Sequence, residues 1–375
     1  MKSFALYIHY PFCTSRCPYC GFATQIDNVD LAEQYRSALL LELSRSASQL
    51  PWREATVVSI YLGGGTPSLL PPKFVTDLLR RIRNLWQVSE NAEITIETNP
   101  GTRDAERFSG YLAAGVNRLS IGSQSFHNDE LKYLGRDHTV SDISKTVESG
   151  RNVGFDNISL DLIYGLPIQT VESVSVSADR ALDLNIEHLS TYSLSIEPGT
   201  QFKASVESGS MILPDQDLVS DHYQAICAAA KSHNFTHYEL TNYAREGFHS
   251  RHNFAYWRRQ PYLGIGVGAH SYNGKQRYWN TRNTRDYIKQ INKMSDPQKG
   301  IEVMTPSETL SEKVYLSLRC EDGIPLEFAK KNCIKSEMSS LMKTGFLELR
   351  EDKLHIPESK WLLLDEIVLR MLPAD

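Results

Sequence analysis

The sequence predicts an α/β fold, a partial (β/α)6 barrel of the TIM type followed by a small winged-helix-like α+β domain, and three observations predict it. Between residues 4 and 195, short β-branched or aromatic runs alternate with amphipathic stretches, the pattern of βα units on a parallel sheet. From about Pro306 the pattern changes to short helices and a hairpin. The length, 375 residues, accommodates a large barrel with a small appended unit.

Six strands are readable, at 4–9, 56–62, 93–98, 117–121, 157–163 and 188–194. Leu31, Tyr35, Ala38, Leu39 and Leu43 recur at helical spacing after the first, as do Phe74, Leu78, Ile82 and Leu85 after the second, so each stretch can cover a sheet face. Thr102 is the expected N-cap of a helix reaching Ala114, with Gly115 as its stop, and Gly154 ends the next helical segment in the same way. Beyond 197–200 come a helical stretch at 214–232, a short run at 238–243, and a segment rich in aromatic, His and Arg residues at 248–262 with weak periodicity. The last region reads as helices at 310–318, 324–330 and 335–343, a hairpin at 346–356 and a final helix from Trp361. The expected organisation is therefore a barrel at 1–245, a connecting segment at 246–305 and a small C-terminal domain at 306–375.

Composition excludes several classes. Charged residues are 23% and hydrophobic residues 41%, an ordinary globular balance and not a disordered one. The net charge of −5 offers no general attraction to nucleic acid, and no apolar run reaches the ~20 residues of a membrane span. Residues 1–12 lack the charged start, apolar stretch and cleavage site of a secretory signal, so the expected location is the cytoplasm.

Cys13, Cys17 and Cys20 stand with three and then two residues between them, at the end of a β-type run and within one loop. Zinc usually takes four ligands from paired motifs, and Cys227, Cys320 and Cys333 are scattered singly. A disulfide network is out of place in a cytoplasmic chain. A cubane iron–sulfur cluster normally takes four thiolates, so three leave one iron open to another ligand. The loop resembles the cluster loop of radical S-adenosylmethionine (SAM) enzymes. In that superfamily the amine and carboxylate of SAM chelate the unique iron of a [4Fe-4S] cluster, and the cofactor carries the chemistry.

In such a barrel, reactive residues belong at the C-terminal ends of the strands. The second strand runs into Gly63-Gly64-Gly65-Thr66-Pro67, where missing side chains let a ligand approach the backbone, although a tight turn would use the same glycines. The third ends at Glu97, whose carboxylate can accept two ribose hydroxyls, beside an Asn99/Thr102 capping turn. Gln124 and Arg136 lie near the rim after the fourth strand, and a guanidinium there can grip a carboxylate bidentately. Asp161, flanked by Leu160, Leu162 and Ile163 on the fifth, needs a ligand or a donor to satisfy it.

This ordered set resembles the family of oxygen-independent coproporphyrinogen III dehydrogenases and their haem-chaperone relatives, over nearly the whole chain. The resemblance implies SAM contacts at Tyr7, Tyr19, Gly64, Gly65, Thr66, Glu97, Gln124, Arg136 and Asp161, and cluster ligands at Cys13, Cys17 and Cys20. Two departures weigh against the dehydrogenase: Phe22 stands where that branch has a further cysteine, and only twelve residues precede Cys13. His252-Asn253-Phe254-Ala255-Tyr256-Trp257 resembles the His-Asn-x-x-Tyr-Trp haem motif of the chaperone branch. In a helix His252 and Tyr256 share a face, both side-chain types ligate haem iron, Trp257 offers an apolar surface, and Arg245, Arg251, Arg258 and Arg259 are candidates for the propionates. A hydrogen-bonded packing role for this segment, or ligation by His237 or His249, stays open.

The expectation is a haem chaperone that transfers haem to an acceptor protein. The alternative is a radical SAM enzyme acting on a tetrapyrrole, such as coproporphyrinogen III. A nucleic-acid-modifying enzyme ranks last, because Lys335, Lys343 and Lys353 are offset by Glu337, Glu348, Glu351 and Asp352. The run from Tyr262 to Ser271, with alternating glycines, reads as close backbone packing more than as a phosphate loop.

Overall fold

A computed structural model describes residues 1–101 and 104–373. Strands Ser3–Tyr10 (β1), Thr56–Gly64 (β2), Val88–Thr98 (β3), Arg118–Gln124 (β4), Ile158–Tyr164 (β5) and His188–Ser193 (β6) lie side by side in chain order, each parallel to the next. Parallel neighbours need crossover connections, and these include the helices Val29–Ser48, Pro72–Leu85, Asp104–Ala114, Val140–Val153 and Val171–Asp183. The expected α/β class with a parallel sheet holds. Local signals set the helix ends: the Asn28 side chain accepts from Leu31 N at 3.0 Å, and Gly154, at φ 103°, closes the Val140 helix in the left-handed region. The cap expected at Thr102 lies outside the described residues.

Alternation along the strands separates two faces. Leu6, Ile8, Ile60, Leu62, Ile96, Ile121 and Leu160 are buried in one core with helix residues such as Tyr35, Leu39, Leu79 and Val147. Each such side chain contributes about 1.5–3 kcal/mol by leaving water. The alternate positions, among them Tyr7, Ser59, Tyr61, Glu97, Ser120 and Asp161, are polar or aromatic. The sheet therefore keeps hydrogen-bonding groups on one face, and that face holds the candidate site.

Residues 246–305 do more than connect. Strands Thr236–Glu239 (β7) and Asn242–Ala244 (β8) extend the sheet beyond β6. The chain then returns to the opposite edge, where Tyr262–Ile265 (β9) pairs parallel with β1 and is followed by antiparallel His270–Tyr272 (β10), Gln276–Asn280 (β11) and Gln298–Val303 (β12). The alternating glycines are packing points: a Cβ on Gly264 would collide with the His270 carbonyl oxygen, and Gly266, at φ 109°, donates its N–H to Glu42 at 2.7 Å.

The return path crosses the sheet as the helix Arg251–Trp257. Glu93 on β3 accepts from Arg251 N and His252 N at 3.0 Å each, fixing the first turn of that helix against the sheet. A second apolar cluster, including Val314, Leu318, Leu341, Leu354 and Trp361, organises the C-terminal helices Pro306–Leu318, Leu326–Asn332, Lys335–Lys343 and Leu364–Met371 around a three-stranded sheet. No described helix is long and apolar enough to cross a membrane.

Candidate functional site at the strand ends

The loop after β1 is tied down before any ligand is considered. Phe12–Cys13 pairs with Gln25–Ile26, while Gly65 N donates to Tyr10 O at 2.8 Å and Thr66 N to Phe12 O at 2.9 Å. A Cβ on Gly65 would lie 2.7 Å from Phe12 O, so only glycine lets the second strand's end pass this close to the thiol loop. Cys13, Cys17 and Cys20 are free thiols, and all three line a cavity of about 920 Å³. Burial pushes the Cys13 thiol up to about 11, so binding a metal there releases a proton.

The rim of the same cavity carries Tyr19, Gly64, Gly65, Thr66, Glu97, Gln124, Arg136 and Asp161, which the strand ends bring together from across 140 residues of sequence. Glu97 accepts from Gly64 N at 2.9 Å and from Tyr61 OH at 2.9 Å; burial raises its carboxyl and these two donors partly offset that. Arg136 places Nη1 3.5 Å from Cys17 Sγ, while its Nη2 donates to Asn99 Oδ1 at 2.5 Å and Gly122 O at 3.0 Å. Both N–H groups of Nη2 thus have protein acceptors, and Nη1 is the nitrogen turned toward the thiol loop. Gln124 sits at φ 66°, a strained region for a side chain with a Cβ, as is common where a residue is held for a ligand.

Asn99 was read from sequence only as part of a turn. Its side chain bridges Arg136 and, through Nδ2, Thr66 Oγ1 at 3.1 Å, and it lines the cavity. The signal was present, since Asn99 directly follows the strand end at Thr98, but a helix cap accounts for the same residue.

Three predicted residues do not reach the cavity wall. Tyr7 packs beneath it, its OH 3.1 Å from His9 Nδ1 and its ring against Gly63. His252 and Tyr256 do share one helix face, but that face is turned into the sheet: His252 is 1% exposed, its Nδ1 is 2.9 Å from Ser59 Oγ, and its Nε2 is 2.9 Å from Tyr256 OH. Both ring nitrogens are engaged, so the pair does not fit a haem iron in this arrangement. The arginines around it are engaged as well. Arg258 pairs with Asp322 at 2.6 Å, Arg259 with Glu312 at 2.5 Å, Arg245 donates to Ile186 O at 3.0 Å, and Arg251 donates to Asn91 O.

Asp161 gives a pH prediction. Burial first, and then the nearby Glu97, push its carboxyl up from 3.8 to about 7, with Ser120 Oγ at 3.4 Å. Because the folded state holds this proton more tightly than the unfolded chain, its contribution to stability is present below about pH 4 and is lost as pH rises through about 7. Denaturant midpoints between pH 5 and 8 should fall less steeply in Asp161→Asn than in the parent, and parallel profiles would refute the assignment.

A parallel sheet whose C-terminal ends surround three thiols on one loop, a glycine turn and a half-buried carboxylate defines a protein of the radical SAM class. Accordingly, the Radical SAM superfamily model matches residues 7–181. The fold is like that of coproporphyrinogen III oxidase (HemN) from Escherichia coli, a radical SAM enzyme, with a TM-score of 0.83 over 98% of this chain and 90% of that one; at 24% identity the likeness concerns the fold. The chain is 33% identical to the heme chaperone HemW of Bacillus subtilis (strain 168) over 98% of both chains, and 39% identical to heme chaperone HemW of Escherichia coli (strain K12) over 71% of this chain and 69% of that protein. The chain belongs to the HemW family of heme chaperones. Membership implies a [4Fe-4S] cluster and SAM, and the donor set at the cavity fits both: three thiols on one side, and a half-buried carboxylate with glycine backbone lining the wall on the other.

Proposed function

We propose that this protein binds haem and transfers it to an acceptor haem protein, with SAM and a [4Fe-4S] cluster held at the strand ends. The observation that carries the reading is the match to heme chaperones along nearly the full length of both chains. In this reading Cys13, Cys17 and Cys20 ligate the cluster. Gly64, Gly65 and Thr66 line the methionyl amine, Arg136 lies beside Cys17 near its carboxylate, Glu97 accepts the ribose hydroxyls, and Tyr19 packs by the adenine. Gln124 and Asp161 complete the wall, and Tyr7 supports it from below. The cluster supplies electron transfer and an open coordination site when bound; the chain's own residues orient the nucleotide. The reading also divides the chain at 245 and 305 and places it in the cytoplasm, the compartment in which unpaired thiols persist.

Phe22 supports an apolar ligand near the cavity mouth, since it lines the cavity while remaining 67% exposed. The test is a haemin titration of the anaerobically reconstituted protein. A Soret shift that saturates near one haemin per chain is expected, and no shift at stoichiometric haemin would refute the proposal. His252→Ala then locates the macrocycle: a lost shift means the helix Arg251–Trp257 leaves the sheet on binding, and a retained one places haem elsewhere.

A further inference from the structure

The thiol that the cluster does not use on the Gln216–Ser232 helix lies within a second constellation. Cys227 on that helix, His237 on β7 and Glu358 at the start of the turn Glu358–Leu363 present one ligand atom each, all within 4.8 Å of one another. Cys227 Sγ is 4.0 Å from His237 Nδ1, which is 3.1 Å from Glu358 Oε1. Around a tetrahedral ion with bonds of about 2.0–2.3 Å, ligand atoms stand roughly 3.3–3.6 Å apart, so small side-chain adjustments would close the site. They border a cavity of about 270 Å³ that shares none of its wall with the cluster cavity. That volume suits an ion and its water and is too small for a macrocycle.

The histidine is held as a metal-binding histidine is held. Its ring stacks on Tyr243 at 4.1 Å and meets the edge of Trp361 at 4.4 Å, which fixes its plane. Nε2 faces Leu240 O at 3.4 Å and Tyr223 OH at 3.5 Å. Nδ1 faces both the Glu358 carboxylate and the Cys227 sulfur, so one ring nitrogen, one carboxylate oxygen and one sulfur converge on the same small space. The thiol completes a donor set of sulfur, nitrogen and oxygen, which suits a zinc-type ion. Lys231 and Arg350 also border the cavity. With the thiol deprotonated, a divalent ion would be neutralised by Cys227 and Glu358 together, so those two cations would face a site of no net charge.

We propose that Cys227, His237 and Glu358 form a zinc-class metal site that fastens the C-terminal unit to the edge of the large sheet, with water from the exposed side of Glu358 as the fourth ligand. On binding, the Cys227 S–H bond breaks, its proton passes to solvent, and the sulfur bonds the ion without any change of oxidation state. The site is independent of the haem reading.

The test starts from full-length protein with its cluster reconstituted, exposed to Zn2+ and passed over a desalting column. One zinc per chain beyond the iron should remain, with none in Cys227→Ser and at least tenfold weaker retention in Glu358→Gln, whose half-exposed position tolerates exchange. Co2+ added to Cys13→Ser/Cys17→Ser/Cys20→Ser, which lacks the cluster's own colour, should still produce a thiolate charge-transfer band and tetrahedral d–d bands. Absence of retained zinc in the parent protein overturns the proposal. So does zinc that persists undiminished in both Cys227→Ser and Glu358→Gln, which would assign it to other ligands and leave His237–Glu358 an ion pair.

Discussion

Cys17→Ser should remove the cluster altogether: iron and sulfide after anaerobic reconstitution fall from about four per chain to near zero, and the brown colour is lost. Three thiolates are the minimum that still hold a cubane with an open iron, and a serine hydroxyl is a far poorer ligand to it. Cys17 is also the thiol beside which Arg136 places Nη1, at 3.5 Å. Cys227→Ser, which borders a cavity separate from that of the thiol loop, should retain the full iron content. Normal iron and colour in Cys17→Ser would refute the cluster assignment.

Glu97→Ala should weaken SAM binding by about 100-fold in cluster-loaded protein, measured by equilibrium dialysis or calorimetry. The carboxylate accepts from the N–H of Gly64, at 2.9 Å, and also from Tyr61 OH at 2.9 Å. On the proposed reading, removing it takes away the acceptor for the ribose hydroxyls and loosens the glycine turn, losses of about 1.5–3 kcal/mol for a charged hydrogen-bonding partner. Glu97→Gln keeps the shape and one acceptor oxygen and should cost roughly tenfold less. Equal affinity in Glu97→Ala and the parent would exclude the ribose contact.

Much of the site could be read because its parts are local. The thiols, the glycine turn, Glu97 and Asp161 each lie on or just after a strand whose alternation is visible in the sequence, and in a parallel sheet every strand end arrives on the same side. Arg136 was legible as a rim residue, but its grip was not, because the acceptors that occupy Nη2 come from the residue just after β3 and from β4, 37 and 14 residues away. Asn99 was hidden by its equal fitness as a turn residue. The setting of the His252–Tyr256 motif was hidden for a related reason. Helical spacing correctly placed His252 and Tyr256 on one face, yet nothing in that spacing says whether the face looks out to solvent or down onto Ser59, 193 residues earlier in the chain.

The sequence by itself determined the alternating strands and helices, the parallel order of the six central strands, and the loop that gathers Cys13, Cys17 and Cys20, since each depends on residues close together along the chain. Only the tertiary structure decided that Tyr262–Ile265 returns to pair with β1, that the helix Arg251–Trp257 is pinned by Glu93, and that Cys227, His237 and Glu358 converge. Those outcomes depend on which distant surfaces bury one another and satisfy one another's hydrogen bonds, a choice made by the whole core at once and not encoded in any single run of residues.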